Sequence, residues 1–546
     1  MTGPEIRRVG VVDVATVGGA RRQVRRGLVA GAVLGGLLGP GMAVLGASPP
    51  AGAAPSKVNP HGVLTYGFDL NNEFSNNFDP GDPQSNDCSY TALANIYQSM
   101  TVPGNFQVAG GVAQSWTVSS NSSLITFHLR PGMVFSNGQP VTAADVKASM
   151  EHISKSPLRS SLTAIASIAT PNPETVVVTL NRPTAGDFLW AMSYLDGSVM
   201  PASLATGDGL HNAAVMHPIG AGPFTLKSYS QGASIDLVKN PRYWDSKAYP
   251  LGGVDFVQLT NGPQAVTALT SGAVDMIQVE PENYPQLKGA SNIGISVTKS
   301  YDNMAIELRQ NTGPFTNERV RAALEYAVDR VALNKVVFDG LGQPAYQSVP
   351  SWSPGYSKSL GAFDAYNPAK AKAMLKAAGF PHGVTFSMIM PSGDATFARA
   401  AALVQSEMAK AGFHANLQQI PGSDFLTDVY IKGEGDALLT LLLTNGADMS
   451  NNFESLFEPT GFPAQRLGSI NNTLTPLIER SNASLSASVQ GPLMQKMDRT
   501  ILTQGLVVPL VFEPSIVAYN KQRVGGDVVA PIGQCRSNLA GIYIKK

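Results

Sequence analysis

The stretch HPIGAGPFTLKSYSQGASIDLVKNPRYWDS, residues 217–246, decides how the rest of this chain is read. Its first eight residues hold two glycines and two prolines and end on Phe224. Gly220 and Gly222 permit a tight backbone and Pro223 fixes its own φ, so the segment is a rigid turn. No G-x-x-x-x-G-K-[ST] pattern overlaps it, which excludes a phosphate-cradling nucleotide loop. Beyond the turn the chain alternates. Phe224 and Leu226 share a face, Gln231-Gly232 reverses direction, and Ile235 and Leu237 come back along that face. This is a hairpin, closed by Asn240-Pro241 ahead of Tyr243 and Trp244. The motif shapes a fold rather than performing a reaction.

Similar patterning continues on either side. In LITFHLRPGMVFSNGQPVTAADVKASMEHI (124–153), Ile125, Phe127 and Leu129 alternate with polar residues as a strand. Thr142 and Asp145 form a capping box for a helix running to about Ile153. ETVVVTL (174–180) is a second strand, rich in branched residues. After residue 310 helices dominate. Val320, Ala323, Leu324 and Ala327 have amphipathic spacing, and a helix capped by Asn367 and opened by Pro368 ends at Gly379. A further helix ends at Gly412, and these helices lead into extended runs, VTFSMIM and HANLQQI. Strand–helix–strand order of this kind predicts a mainly parallel sheet. The fold class is therefore α/β or α+β, with a β-rich first part.

With 546 residues, two or three packed units are expected. Charged residues make up only 14%, with 39 basic and 39 acidic, and no basic stripe lies beyond the N-terminus, so no nucleic-acid partner is expected. The segment RRQVRRGLVAGAVLGGLLGPGMAVLGASPPAGAAPS (21–56) has the order of an export signal: arginines, an apolar run, then small residues near Ala51-Gly52-Ala53. Cleavage after residue 53 takes six arginines and two acids from 39 and 39, leaving 33 and 37. The apolar run is not followed by cysteine, so no lipid anchor of that kind is expected. In an oxidising compartment Cys88 and Cys535 either close a disulfide or stay two separate buried thiols.

Catalytic signatures are not found. The mature chain has no G-x-S-x-G elbow and no H-E-x-x-H, and its seven histidines lack metal-ligand spacing. No cofactor, no metal and no enzymatic activity are expected.

Six motifs in order carry a resemblance to a known family: GGVAQSWTVSSNSSLITFHLRPGMVFSNGQPVTAADVKASME, HPIGAGPFTL, KNPRYWD, ALTSGAVDMI, PFTNERVRAALEYAVDR and NPAKAKAMLKAAGF. Together they resemble the extracellular solute-binding proteins of ABC importers, in the dipeptide-, oligopeptide- and nickel-binding class (family 5), over roughly residues 60–540. The resemblance implies a periplasmic-binding-protein-like fold of the three-domain, cluster C type. Its two lobes close about a hinge on a cleft, and a smaller domain is inserted. It implies a first lobe from 56–103, 218–308 and 505–546, an inserted subdomain at 104–217 and a second lobe at 309–504. Both cysteines then fall in the first lobe, which favours the disulfide Cys88–Cys535. HPIGAGPF becomes the point where the chain re-enters the first lobe.

The resemblance also nominates a ligand site. Glu73 and Ser75, in NNEFSNNFDP (71–80), match a ligand-contacting loop. Tyr301, Asp302 and Asn303, in SYDNMAIELRQ (300–310), lie where the family crosses between lobes, and Trp352 is a stacking candidate whose alternative is core packing. Peptide-binding relatives carry an aspartate, for the ligand ammonium, where this chain has Asn445, and Asp448 follows three residues on. A neutral amide makes a weaker bond to an ammonium than a carboxylate does. The dipeptide binders' arginine has no aligned counterpart, since Arg399 comes too late. The expected protein is an exported, monomeric receptor for an oligopeptide or similar solute, serving ABC permease subunits. Rival readings are a lipid or chelate carrier on the same fold, which the leucines at 438–443 leave open although a buried strand explains them equally well, and a secreted hydrolase.

Overall fold

The hairpin after HPIGAGPF is present in the computed structural model, with Phe224–Ser230 antiparallel to Ser234–Lys239 and Phe224, Ile235 and Leu237 in the core. The structure describes residues 6–8, 58–70, 74, 77–82, 89–104, 107–156, 159–205, 216–260, 262–361, 366–442, 450–529 and 539–546. The glycines of the turn serve close approach: a Cβ on Gly220 would lie 2.0 Å from the Ile96 carbonyl oxygen, and the Gly222 amide donates to that oxygen at 2.9 Å.

One sheet runs through both lobes. Its first half comprises, in order, Phe224–Ser230, Ser234–Lys239, Gly253–Gln258, Val63–Phe68 and Met276–Gln278. Two long antiparallel strands follow, Val507–Asn520 and Ile293–Leu308, and then Ala437–Leu442, Val384–Pro391 and Phe413–Ile420. The expected parallel pairing is found in Val384–Pro391 with both Phe413–Ile420 and Ala437–Leu442. Each half has its own cores. Ile293, Ile516 and Ala518 pack with the helix Pro263–Ser271, whereas Met304, Ile306, Val508 and Leu510 pack with helices of the second half. The two long strands are thus the crossover between two lobes.

Their pairing slips at the middle. Ile293–Lys299 pair with Asn520–Pro514, Asn303–Glu307 with Phe512–Val507, and the register shifts between Lys299 and Asn303. An irregularity there interrupts the ladder where the chain changes lobes, as a hinge requires.

The inserted unit is a five-stranded antiparallel sheet ordered Ile6–Arg8, Ala113–Ser119, Leu124–Leu129, Thr175–Leu180 and Ile165–Asn172. Ile125, Phe127 and Leu129 point into its core together with Val176, Val178 and Leu180. The helix Ala143–Ile153 covers them, and its capping box forms as expected, with Asp145 accepting from the Thr142 amide at 2.9 Å. This unit is fastened to the first lobe: Ser198–Val199 pairs with Gln98–Ser99, and the Met100 amide donates to Gly197 at 2.8 Å. Apart from Ile6–Arg8, the expected export segment 1–53 lies outside the described residues. No helix among the described residues is long and apolar enough to cross a membrane.

The helix Pro368–Ala377 begins as expected, with Asn367 accepting from the Lys370 amide, and Gly379 beyond its end has φ +95°. Within the leucine run, the described residues 438–442 belong to a strand, Ala437–Leu442, in which Leu438 is 1% and Leu439 0% exposed. That removes the argument it supplied for a lipid carrier.

Candidate ligand-binding cleft

Strands Val63–Phe68 and Ala437–Leu442 both end toward the crossover, one from each lobe, and loops at such carboxyl ends are where open α/β sheets place ligands. Ala437–Leu442 stops opposite Asn303.

An aromatic wall rises from the slipped register. The Tyr301 ring lies 5.9 Å from Trp352 at 71°, and Trp352 lies 6.0 Å from Phe512 at 64°. These edge-to-face angles suit the ring quadrupoles. Trp352 is only half-buried, and the Lys299 ammonium stands 5.2 Å from its centroid, within cation–π range. Burial pushes the Tyr301 phenol up to about 12, opposed by its hydrogen bond with Trp352. The phenol of Tyr194, from the inserted unit, adds to that rise. Tyr194 in turn packs 5.5 Å from Tyr90. Side chains from both lobes and the insertion therefore converge on one spot.

Beside the wall, Asn303 is fully buried, yet neither its Nδ2 nor its Oδ1 has a partner among the described residues. A buried amide without partners costs free energy until a donor and an acceptor reach it. Further along the same face, Glu307 is buried with the Tyr430 phenol as hydrogen-bond partner, and burial raises its carboxyl to about 7.

The loop after Val63–Phe68 is anchored by a buried pair. Asp79 accepts from His152 of the insertion, with its two oxygens 2.9 and 2.8 Å from Nε2, and the Tyr97 hydroxyl donates to the Phe78 carbonyl at 2.8 Å.

Of the residues expected from the sequence, the structure brings Tyr301, Asn303 and Trp352 together, with Asp302 between them in a 1%-exposed position. Glu73, Ser75, Asn445 and Asp448 lie outside the described residues, as do Cys88 and Cys535. Sequence reasoning missed Tyr90, Tyr194, Lys299, Phe512, Asp79 and His152, which meet only through tertiary contacts. Arg399, set aside for position, reaches Glu282 of the first lobe at 3.3 Å. Among the described residues, no group of three or more His, Cys, Asp and Glu could hold a metal ion.

Two lobes, a two-strand hinge and a cleft lined from both sides define a binding protein that closes on its ligand. The chain belongs to the bacterial extracellular solute-binding proteins, family 5, whose model matches residues 107–464. It is 25% identical over 471 residues to the glutathione-binding protein GsiB of Salmonella typhi, covering 82% of this chain and 90% of that one. Among solved structures, the periplasmic binding protein AgaA of A. tumefaciens R10 in complex with agropinic acid matches with a TM-score of 0.77, at 24% identity. The match covers 89% of this chain and 99% of that one. The ABC transporter-associated periplasmic binding protein DppA of Helicobacter pylori, in complex with the peptide STSA, matches with a TM-score of 0.76, at 23% identity. Here 89% and 98% are covered.

Proposed function

We propose that this protein is an exported receptor that captures a peptide or peptide-like solute between its lobes and delivers it to the permease subunits of an ABC importer. The observation that carries this reading is the unpartnered amide of Asn303 beside the Tyr301–Trp352–Phe512 wall. A primary amide offers both donors and an acceptor, which complements a peptide group, and the aromatic rings suit apolar side chains. Two similar proteins are named for glutathione and bound to the peptide STSA, both peptides, while a third holds agropinic acid.

Within this reading Tyr301, Asn303 and Trp352 contact the ligand. Glu73 and Ser75 contribute from the first lobe, and Asn445 and Asp448 from the second. Asn445 is neutral where peptide binders carry an acid, which disfavours a free dipeptide and leaves longer peptides held by their backbone. The same reading takes 56–103, 218–308 and 505–546 as the first lobe, 104–217 as the insertion and 309–504 as the second lobe. It places the protein in the cell envelope as a monomer with a Cys88–Cys535 disulfide.

Native mass spectrometry of the exported chain, followed by denaturing release, tests the proposal. A ladder of mixed peptides is the expected result. A single non-peptide mass, or an empty protein whose melting temperature no mixed-peptide digest raises, overturns it, because a ligand bound only by the folded state must stabilise that state.

A further inference from the structure

The insertion touches the second lobe at a point far from the aromatic wall in sequence. Arg182 follows the strand Thr175–Leu180, and its Nη2 donates to Glu454 Oε1 on the helix Ser450–Phe457. The other oxygen of that carboxylate accepts from Asn482 Nδ2 at 2.6 Å. Four residues beyond Arg182, Gly186 opens the helix Ala185–Ala191 against the second lobe's backbone. A Cβ on it would lie 2.1 Å from the Ser484 carbonyl oxygen and 2.7 Å from that of Asn482.

These contacts lie on one particular face of the crossover. Phe453 and Phe457 of the Glu454 helix pack with Ala305. The helix bearing Arg399 packs instead with Met304 and Ile306, and neighbouring strand residues point to opposite faces. Tyr194, which borders Tyr301, belongs to the same insertion as Arg182. The insertion moves with the first lobe, to which its backbone is hydrogen-bonded. Any rotation at the slipped register that opens the cleft on this face therefore separates Arg182 from Glu454 and Gly186 from Ser484.

Resting on the receptor reading above, we infer that Arg182, Glu454 and Gly186 form a closure clasp that holds the lobes together over the bound solute and sets its residence time. The charges fit the task. With the lobes apart, Glu454 and its neighbour Glu458 share a pocket of the second lobe with Glu479 nearby, and closure brings Arg182 into it. Two acids without a cation repel, so the pocket favours the closed arrangement. Gly186 provides the room. Its φ is not in the left-handed region, so alanine suits the helix itself, and what it obstructs is the approach of Ser484. Arg182, Glu454 and Gly186 are positioning residues, since nothing requires them to touch the solute.

The test uses the full chain as exported, with a tryptic peptide digest as probe. Small-angle X-ray scattering with and without the digest gives the closed fraction, and native mass spectrometry after dilution gives peptide residence. Arg182→Ala and Glu454→Ala should each shorten residence about tenfold, the size of one lost charge-assisted hydrogen bond. The exchange R182E with E454R should restore it. Gly186→Ala should leave the melting temperature of the peptide-free protein unchanged or higher while also shortening residence. A merely structural role would lower that temperature instead. Unchanged scattering and residence in Arg182→Ala and Gly186→Ala overturn the clasp, as does wild-type protein whose lobes stay apart under both conditions. Wild type that closes without retaining peptide, and opens in R182E, sinks the peptide reading and leaves the clasp standing.

Discussion

Glu307→Gln is the substitution whose outcome is best fixed by the structure. Glu307 lies on the crossover strand, 5% exposed, paired in register with Leu438 on one side and Val507 on the other. Burial lifts its carboxyl from 4.5 to about 7, with the Tyr430 hydrogen bond opposing. At about 1.4 kcal/mol per pKa unit, the ionised form is penalised by an upper figure of about 3 kcal/mol. Because the folded value lies above the unfolded one, the folded state holds the extra proton between the two. The associated stability is present below the unfolded value and is lost as pH rises through about 7. Glutamine copies the protonated acid in size and still accepts from Tyr430, but it never ionises. Scanning calorimetry of both proteins at about pH 4 and about pH 8 should show equal melting at the acid end and a higher melting temperature for the variant at the alkaline end. With about 2–4 °C per kcal/mol for a unit of 150–250 residues, the gap is several degrees. Glu407 and Glu458, also raised to about 7, remain in both proteins, so the difference isolates Glu307. Parallel curves across the range would refute the reasoning.

Other substitutions probe separate parts of the argument. Gly220→Ala places a Cβ against the Ile96 carbonyl and should cost about 1–3 kcal/mol in urea unfolding; an unchanged midpoint contradicts the close-approach account. His152→Ala leaves the Asp79 carboxylate buried without its ring partner, a loss of about 3 kcal/mol, whereas an unaltered denaturation curve means the pair carries no weight. Trp352→Ala should weaken retention of a peptide digest about tenfold by native mass spectrometry with circular dichroism unchanged, since an aromatic contact is worth about 0.5–1.5 kcal/mol beyond area. Wild-type retention would return Trp352 to core packing.

The local elements were legible because their signals are local. Thr142 with Asp145, Asn367 with Pro368, and the alternation through Ile125, Phe127 and Leu129 each specify a cap or a face within a few residues, and the structure has them. The family motifs extended this to the two-lobed fold. Of the site, only Tyr301, Asn303 and Trp352 were both nominated and brought together. Tyr194 and Phe512 escaped because nothing near them in sequence marks a ligand surface, and Lys299, one residue before the nominated 300–310, because only the fold sets its ammonium over Trp352; lobe geometry assembles the wall. Arg182 and Glu454 are 272 residues apart, and neither sits in a motif. The tight place of Gly186 is set by the carbonyl of Ser484, far along the chain, which no local pattern marks.

The position of Val507–Asn520 in the sheet has a consequence for biogenesis. This strand lies between Met276–Gln278 and Ile293–Leu308, although it begins 199 residues after the later of them ends. As the chain grows, the first lobe's sheet stays split at its centre, with both flanking strands waiting for a partner near the C-terminus. Non-local pairings of this kind form late, because loop-closure entropy must be overcome first. The strands that pair the second lobe internally, Val384–Pro391, Phe413–Ile420 and Ala437–Leu442, are close in sequence and free to assemble before it. Truncation before Val507 would therefore remove the join between the lobes, the hinge and the cleft at once, and a growing chain has no complete binding site until this strand has been made.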